Sequence, residues 1–330
     1  MSFTKRFAGR YNDLPQSLKK GKTAFILSMI TLPVIGFIIF YFAININSIL
    51  MAFQEYRGID KETFTPVYEW NFNNFAHLFN SLVHGTGDGN RLLQMALRNT
   101  MLFFGNEVLL MLPCTFVISY FLFKKVTGYK FFRVIFYLPN ILTGMIMVVS
   151  YKYILAEDGP IATLMYLKNG PEGPLLESFL HNPDKAIWFV LGYCIWAGFG
   201  ANLILFQGGM FRIPVEVLEA ASLDGVNSWQ ELRNIILPMM WNTFSTVFIL
   251  KLSTLFTVSG PILLFISGGV DPDYSNLYTI SYWIFDQVHN GNGTGYNFAS
   301  AVGLVFTLIN APIVFGAKHI LNKIYADVAF

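Results

Sequence analysis

The chain is short of charge. Only 13% of its 330 residues are Asp, Glu, Lys or Arg, against about 25% in soluble proteins. With 54% of residues hydrophobic, much of its length must lie out of water. A net charge of +2 is too small to argue for nucleic acid. A phosphate-binding loop is also missing. Gly21-Lys22-Thr23 mimics the end of one, but position 16 is Gln16 where Gly is required, and no strand precedes it. The chain is therefore not expected to hydrolyse ATP. Two cysteines, Cys114 and Cys194, offer neither metal spacing nor a disulfide framework and read as buried, reduced thiols. His77, His84, His181, His289 and His319 are scattered, with no His-x-x-x-His pair and no Ser/His/Asp grouping.

What is present is a set of long apolar runs. A spanning helix needs about 20 such residues. Six runs qualify: Thr23 to Ile44, Asn99 to Phe123, Val134 to Tyr151, Ala186 to Met210, Met239 to Ile266 and Phe298 to Ala317. The first is longer than a signal-peptide core and reads as an uncleaved anchor. Pro33, Pro113, Pro139, Pro261 and Pro312 fall inside runs, where neighbouring helices can satisfy the freed carbonyls.

Lys and Arg mark the inner side of a membrane. The tail carries Lys5, Arg6, Arg10, Lys19, Lys20 and Lys22 against Asp13. The link between the second and third runs carries Lys124, Lys125, Lys130 and Arg133 with no acid. Lys318 and Lys323 close the sixth run. Between the fifth and sixth lie Asp271, Asp273 and Asp286 with no Lys or Arg. The pattern predicts six spans with both termini cytoplasmic. Parity puts residues 211–238 on the cytoplasmic side, since Arg212 and Arg233 against four acids do not decide it. Two links, 54–94 and 152–185, fall outside.

The 211–238 loop has helix signals. Pro214 suits a helix start, Val215 to Leu223 are good formers, and Gly225 is placed to stop the helix in a left-handed conformation. Ser228 and Glu231 have the spacing of a capping box for a second helix toward Pro238. Ala220 and Ala221 make a small patch beside Leu218 and Leu223.

The segment reads Glu219-Ala220-Ala221, three residues, Gly225, nine residues, Ile235, one residue, Leu237-Pro238. This resembles the cytoplasmic loop of binding-protein-dependent ABC importer permeases. "LRNTMLFF" from Leu97, "FFRVIFYLPNILTGMIM" from Phe131 and "FQGGMFRIPVEVLEAASLDGVNSW" from Phe206 resemble the carbohydrate-uptake branch of that family. "SGGV" from Ser267 resembles its Gly-Gly-Pro, with Val270 departing from the pattern. The likeness covers Leu97 to the C-terminus.

The resemblance implies an all-α transmembrane fold: a six-helix type I importer permease bundle with a cytoplasmic coupling helix. It divides the chain into a basic tail (1–22), a first span with an external loop (23–96) and a five-helix core (97–330) containing the coupling loop (211–238). Glu219, Ala220, Ala221, Asp224 and Gly225 would then dock on an ATPase. The implied partners are a second permease subunit, two cytoplasmic ATPase subunits that hold ATP-Mg, and an extracellular solute-binding protein. No cofactor is expected on this chain, nor a metal. The implied location is a bacterial cytoplasmic membrane, and the implied cargo a sugar or oligosaccharide. Another polar solute, such as a glycerol phosphate, stays open. An ion-coupled secondary transporter or a membrane enzyme would need repeats or clustered polar groups that the sequence does not display.

Sugar sites combine aromatic faces with amides and hydroxyls. Trp196, Asn202, Gln207, Ser253, Thr257 and Ser259 are the pathway candidates, with Trp188, Tyr193 and Thr254 nearby in the same spans. Glu107 and Lys251 are ionisable groups within spans, each a functional or structural pair by default. They are expected to be compensated, by each other or by the second permease subunit.

Overall fold

A computed structural model describes residues 16–84, 91–156, 158–169, 183–257, 261–266, 274–290 and 295–324. Lys5, Arg6, Arg10, Asp13, Asp271, Asp273 and the 267–270 segment lie outside the described residues. The chain divides into two compact units, Met1–Asn74 and Phe75–Phe330.

In the first unit, α1 (Gln16–Gly36) passes through a π-helical stretch (Phe37–Phe42) into α2 (Ala43–Ala52). The stretch Gly21–Ala52 is long and apolar enough to span a membrane. Its side chains are exposed all round, Leu32 by 80% and Phe40 by 74%, as befits a helix in apolar surroundings. The chain then forms a hairpin, β1 (Gln54–Ile59) antiparallel to β2 (Pro66–Trp70), pairing Gln54 with Trp70 and Tyr56 with Tyr68. A bulge falls between Tyr56 and Gly58, whose φ of +129° suits glycine. Asn74 donates to the carbonyls of Ala52 and Gln54 and ties the hairpin to the end of α2. The sequence reading of this link contains no hairpin, although the strands "EYRGI" and "PVYEW" carry its alternation.

The second unit begins with α3 (Asn73–Val83), which crosses the unit boundary. It continues with α4 (Leu92–Gly105), a π-helical stretch (Asn106–Met111) and α5 (Leu112–Phe123). Together Leu92–Phe123 is one membrane-length helix. α6 (Tyr129–Ile141) and α7 (Gly144–Ile154) follow, then α8 (Pro160–Asn169) and the 28-residue α9 (Pro183–Met210). α10 (Val215–Leu223) and α11 (Ser228–Glu231) occupy the loop. α11 runs on through a π-helical stretch to Met239, and α12 (Trp241–Ser253) begins past a 74° bend. α13 (Ile262–Ile266), α14 (Ile280–Asn290) and α15 (Tyr296–Ile324) complete the unit.

Among the described residues, four stretches are membrane-length helices, and the two bent pairs bring the number to as many as six. Two spans differ from expectation. Val134 to Tyr151 is not one helix: α6 and α7 meet at 107°. Pro139 has no N–H to return to Ile135, and Leu142 and Thr143 are extended, with ψ of 151° and 140°. Met239 to Ile266 is not one helix either. The Ser253 hydroxyl donates to the Leu250 carbonyl, and Thr254 to those of Leu250 and Lys251. Such bonds compete with the helix ladder, and α12 ends there.

Three apolar clusters hold the unit. Leu112, Phe116, Phe206, Met210, Ile236 and Met240 join α5, the end of α9 and the run into α12. Met147, Val190, Tyr193 and Phe265 join α7, α9 and α13. Ala96, Phe256, Trp283, Val302 and Phe306 join α4, α14 and α15. Asn99 donates to the carbonyls of Asn276 and Tyr278, and the Thr100 hydroxyl accepts from the Ile280 N–H. These bonds fix the approach to α14 against α4.

Candidate functional site

Two regions carry the chemistry: the loop from α9 to α12, and a cavity inside the bundle.

α10 starts immediately after Pro214, which takes an extended ψ of 134°. It ends in a Schellman closure: Gly225 N–H donates to the Ser222 carbonyl and Val226 N–H to that of Ala221. Gly225 has φ +72°, as expected from its place in the sequence. The alanine pair is split. Ala221 is buried and Leu218 packs on the apolar cluster below, so neither belongs to an outward patch, contrary to the sequence reading. Glu216, Glu219, Ala220 and Leu223 are exposed, and their spacing of three and four residues makes one stripe. Leu223 is 89% exposed. Asp224 and Gly225 are exposed at the end of that stripe.

The capping box sits one residue earlier than expected. Asn227 is the N-cap, accepting from Gln230 N–H at 2.9 Å, and the Gln230 side chain accepts from Asn227 N–H at 3.1 Å. Asparagine caps as well as serine. Glu231 is thereby released for another task. Lys124, at the end of α5, donates to both its carboxylate oxygens at 3.0 Å. The Glu231 side chain is only 9% exposed. The sequence reading misses this tether between the basic link and the loop, since it takes Lys124 only as a topological charge.

The cavity, of ≈ 280 Å³, lies between α4, the π-helical stretch after it, α9 and α12. Its wall includes Thr100, Phe103, Tyr193, Cys194, Gly198 and Thr254, together with Glu107 and Lys251. The two charges meet: Lys251 Nζ is 2.6 Å from Glu107 Oε1, with the side chains 32% and 28% exposed. The mutual compensation expected of them is direct. Cys194 is half-buried at the cavity and Cys114 is exposed, so the expectation of two buried thiols fails for Cys114, which faces out of the bundle. On the approach to α14, burial and then the nearby Asp286 carboxylate push the pKa of the Tyr278 phenol up to about 12.

The pathway candidates scatter around this cavity; among the described residues none of them is in its wall. Trp196 stacks on Tyr151, with ring centroids 6.4 Å apart, and meets the edge of Tyr193 at 6.3 Å. Asn202 and Gln207 are buried further along α9. Gln207 accepts from the Tyr137 hydroxyl at 3.1 Å. Ser253 accepts from Asn310 through its carbonyl, and the Thr257 carbonyl accepts from Ser281. Ser259 lies outside the described residues. Tyr193 and Thr254, secondary candidates in the sequence, are in the wall. Trp188 is 61% exposed.

Membrane-length helices around a charged cavity, with one capped helix pair held out on a loop, define an integral membrane protein. The chain belongs to the family of binding-protein-dependent transport system inner membrane components, which it matches over residues 110–324. It is 28% identical over 278 residues to the probable ABC transporter permease protein YesP of Bacillus subtilis (strain 168), covering 84% of this chain and 83% of that protein. It is 27% identical over 197 residues to the multiple sugar-binding transport system permease protein MsmF of Streptococcus mutans, covering 58% and 63%. Its fold matches a chain of a bacterial alginate ABC transporter, solved in complex with an alginate pentasaccharide-bound periplasmic protein. The TM-score there is 0.74 at 21% identity, over 93% of this chain and 98% of that one.

Proposed function

We propose that this chain is one membrane-spanning subunit of an ATP-driven importer for a sugar or oligosaccharide. The observation that carries this is the exposed Glu216-Glu219-Ala220-Leu223 stripe of α10, closed by Gly225. It is a short helix face with two acids, Glu216 and Glu219, held out on a loop of a family whose members serve solute import. On this reading the stripe, with Asp224, docks in a groove of a cytoplasmic ATPase that holds ATP-Mg. This chain itself binds no nucleotide. A second permease subunit completes the passage, and an extracellular binding protein delivers the solute. The loop and both termini face the cytoplasm.

The cargo is read from MsmF, a relative named for multiple sugars, and from the cavity. Aromatic rings from Phe103 and Tyr193, with Asn106 and the Glu107–Lys251 pair in the same wall, suit a saccharide. The test is uptake by cells carrying the whole transporter. Accumulation of a saccharide should require the binding protein and should vanish when the ATPase partner is made unable to hydrolyse ATP. Uptake that survives loss of ATP hydrolysis would point to ion coupling and sink the proposal. A panel of solutes offered to the binding protein decides between a sugar and a glycerol phosphate.

A further inference from the structure

We infer that Glu107 sets the charge selectivity of the cavity, and that the cargo is a neutral saccharide and not a uronate or a sugar phosphate. The inference rests on the reading of the cavity as the sugar's passage. Among the described residues its wall holds one acid and one base, and these are bonded to each other. The pair cancels in net charge. Lys152, a second cation at the end of α7, is not in the wall; its ammonium donates to the Phe265 carbonyl.

A neutral pair still hydrogen-bonds. Lys251 keeps N–H groups beyond the one aimed at Glu107, and Glu107 keeps a second oxygen and lone pairs. A sugar hydroxyl is both donor and acceptor and meets either group without disturbing the pair. A carboxylate or phosphate needs a counter-charge when it leaves water. It would find one only by displacing Glu107 from Lys251, which leaves Glu107 uncompensated. With Glu107 neutral, Lys251 becomes the spare cation that such a ligand requires. The acid, not the base, therefore excludes anions.

The experiment uses the full transporter in membrane vesicles. Cys114→Ser and Cys194→Ser clear the background, and Thr254→Cys, in the cavity wall beside Lys251, reports on the cavity. Its reaction with the anionic sulfonatoethyl and the cationic trimethylammonioethyl methanethiosulfonates is timed, each rate normalised to a free thiol. The anionic-to-cationic ratio should lie near one. Glu107→Gln should raise it about tenfold, the equivalent of about 1.4 kcal/mol. Lys251→Met should lower it, and the double variant, which buries no lone charge, should return it to the starting value. A starting ratio strongly favouring either sign, or one unmoved by Glu107→Gln, overturns the inference. So does a double variant that keeps a large bias, should a single variant fail to assemble.

A second arm measures uptake of neutral oligosaccharides and oligouronates. Uptake confined to the neutral half supports the inference, and uptake of an oligouronate overturns it. Uptake of neither refutes the saccharide reading, while the thiol ratio still judges the charge of the cavity.

Discussion

At single positions, two residues of the loop make separable demands. Gly225 holds φ at +72° with open space where a Cβ would be built. The penalty for a side chain there is thus backbone strain without collision, about 1–2 kcal/mol, and more for a β-branched residue. Gly225→Val should leave the spans intact but loosen the end of α10. ATPase stimulation by the loaded binding protein should fall while that protein's affinity for sugar is unchanged; undiminished stimulation would refute a coupling role. Glu231 tests a different link. Its carboxylate is nearly buried and held by Lys124, so Lys124→Met should strand it at about 1–3 kcal/mol, reduced from the fully buried case by the exposure of Lys124. A double-mutant cycle with Glu231→Gln, read by thermal unfolding in detergent, should show coupling; simple addition of the two losses would mean the contact contributes nothing. Gly225 was legible because few residues tolerate a left-handed stop. The Lys124–Glu231 contact was not, because it joins residues 107 apart and competes with a local capping pattern that reads equally well one residue later. Glu107 and Lys251 stood out singly by being charged within apolar runs, but their meeting depended on packing.

Whole elements follow the same division. Lengths of apolar sequence marked the spans, since a membrane demands about 20 apolar residues whatever the fold. Continuity was not legible. The break at Leu142-Thr143, just past Pro139, and the one after Ser253, where hydroxyls bond back to the helix carbonyls, leave the hydropathy of each run unchanged. The π-helical stretch at Asn106–Met111, which carries Glu107, has no signature in composition either. Small residues at helix contacts offer a sharper handle. A Cβ on Gly200 of α9 would lie 2.8 Å from Cγ and 3.1 Å from Cβ of Asn140. Asn140 sits near the end of α6 and donates to the Ala197 carbonyl, a bond it would break by swinging away. Gly200→Ala should force α6 away from α9 at about 1–3 kcal/mol, the usual range for overpacking. A lower unfolding temperature of the purified subunit would bear this out. An unchanged temperature would mean the bent α6–α7 pair yields freely.

For the molecule as a whole, orientation is the property on which the proposed function turns. α10 can meet a cytoplasmic ATPase only if the α9–α12 loop is inside. The loop's own charges leave that open, with four acids against Arg212 and Arg233. The inference comes from its neighbours. Lys124, Lys125, Lys130 and Arg133 lie between the second and third spans, and short loops rich in Lys and Arg stay in the cytoplasm. The bent pairs preserve this only if each crosses once. A re-entrant α6–α7 pair would change the parity and carry the loop to the other face. Labelling decides the matter. On a background of Cys114→Ser and Cys194→Ser, Asn276→Cys and Thr127→Cys are treated with a membrane-impermeant maleimide in intact cells. Asn276 spends its backbone carbonyl, not its side chain, on Asn99, so the substitution spares that contact. Thr127 is exposed in the basic link. The thiol introduced in place of Asn276 should react directly, and the one in place of Thr127 only after permeabilisation. The reverse pattern would invert the molecule. Reaction of both in intact cells would make one bent pair a re-entrant loop: a re-entrant α11–α12 pair would leave α10 outside, where no ATPase can reach it, and a re-entrant α6–α7 pair would keep α10 in the cytoplasm while putting the basic link outside.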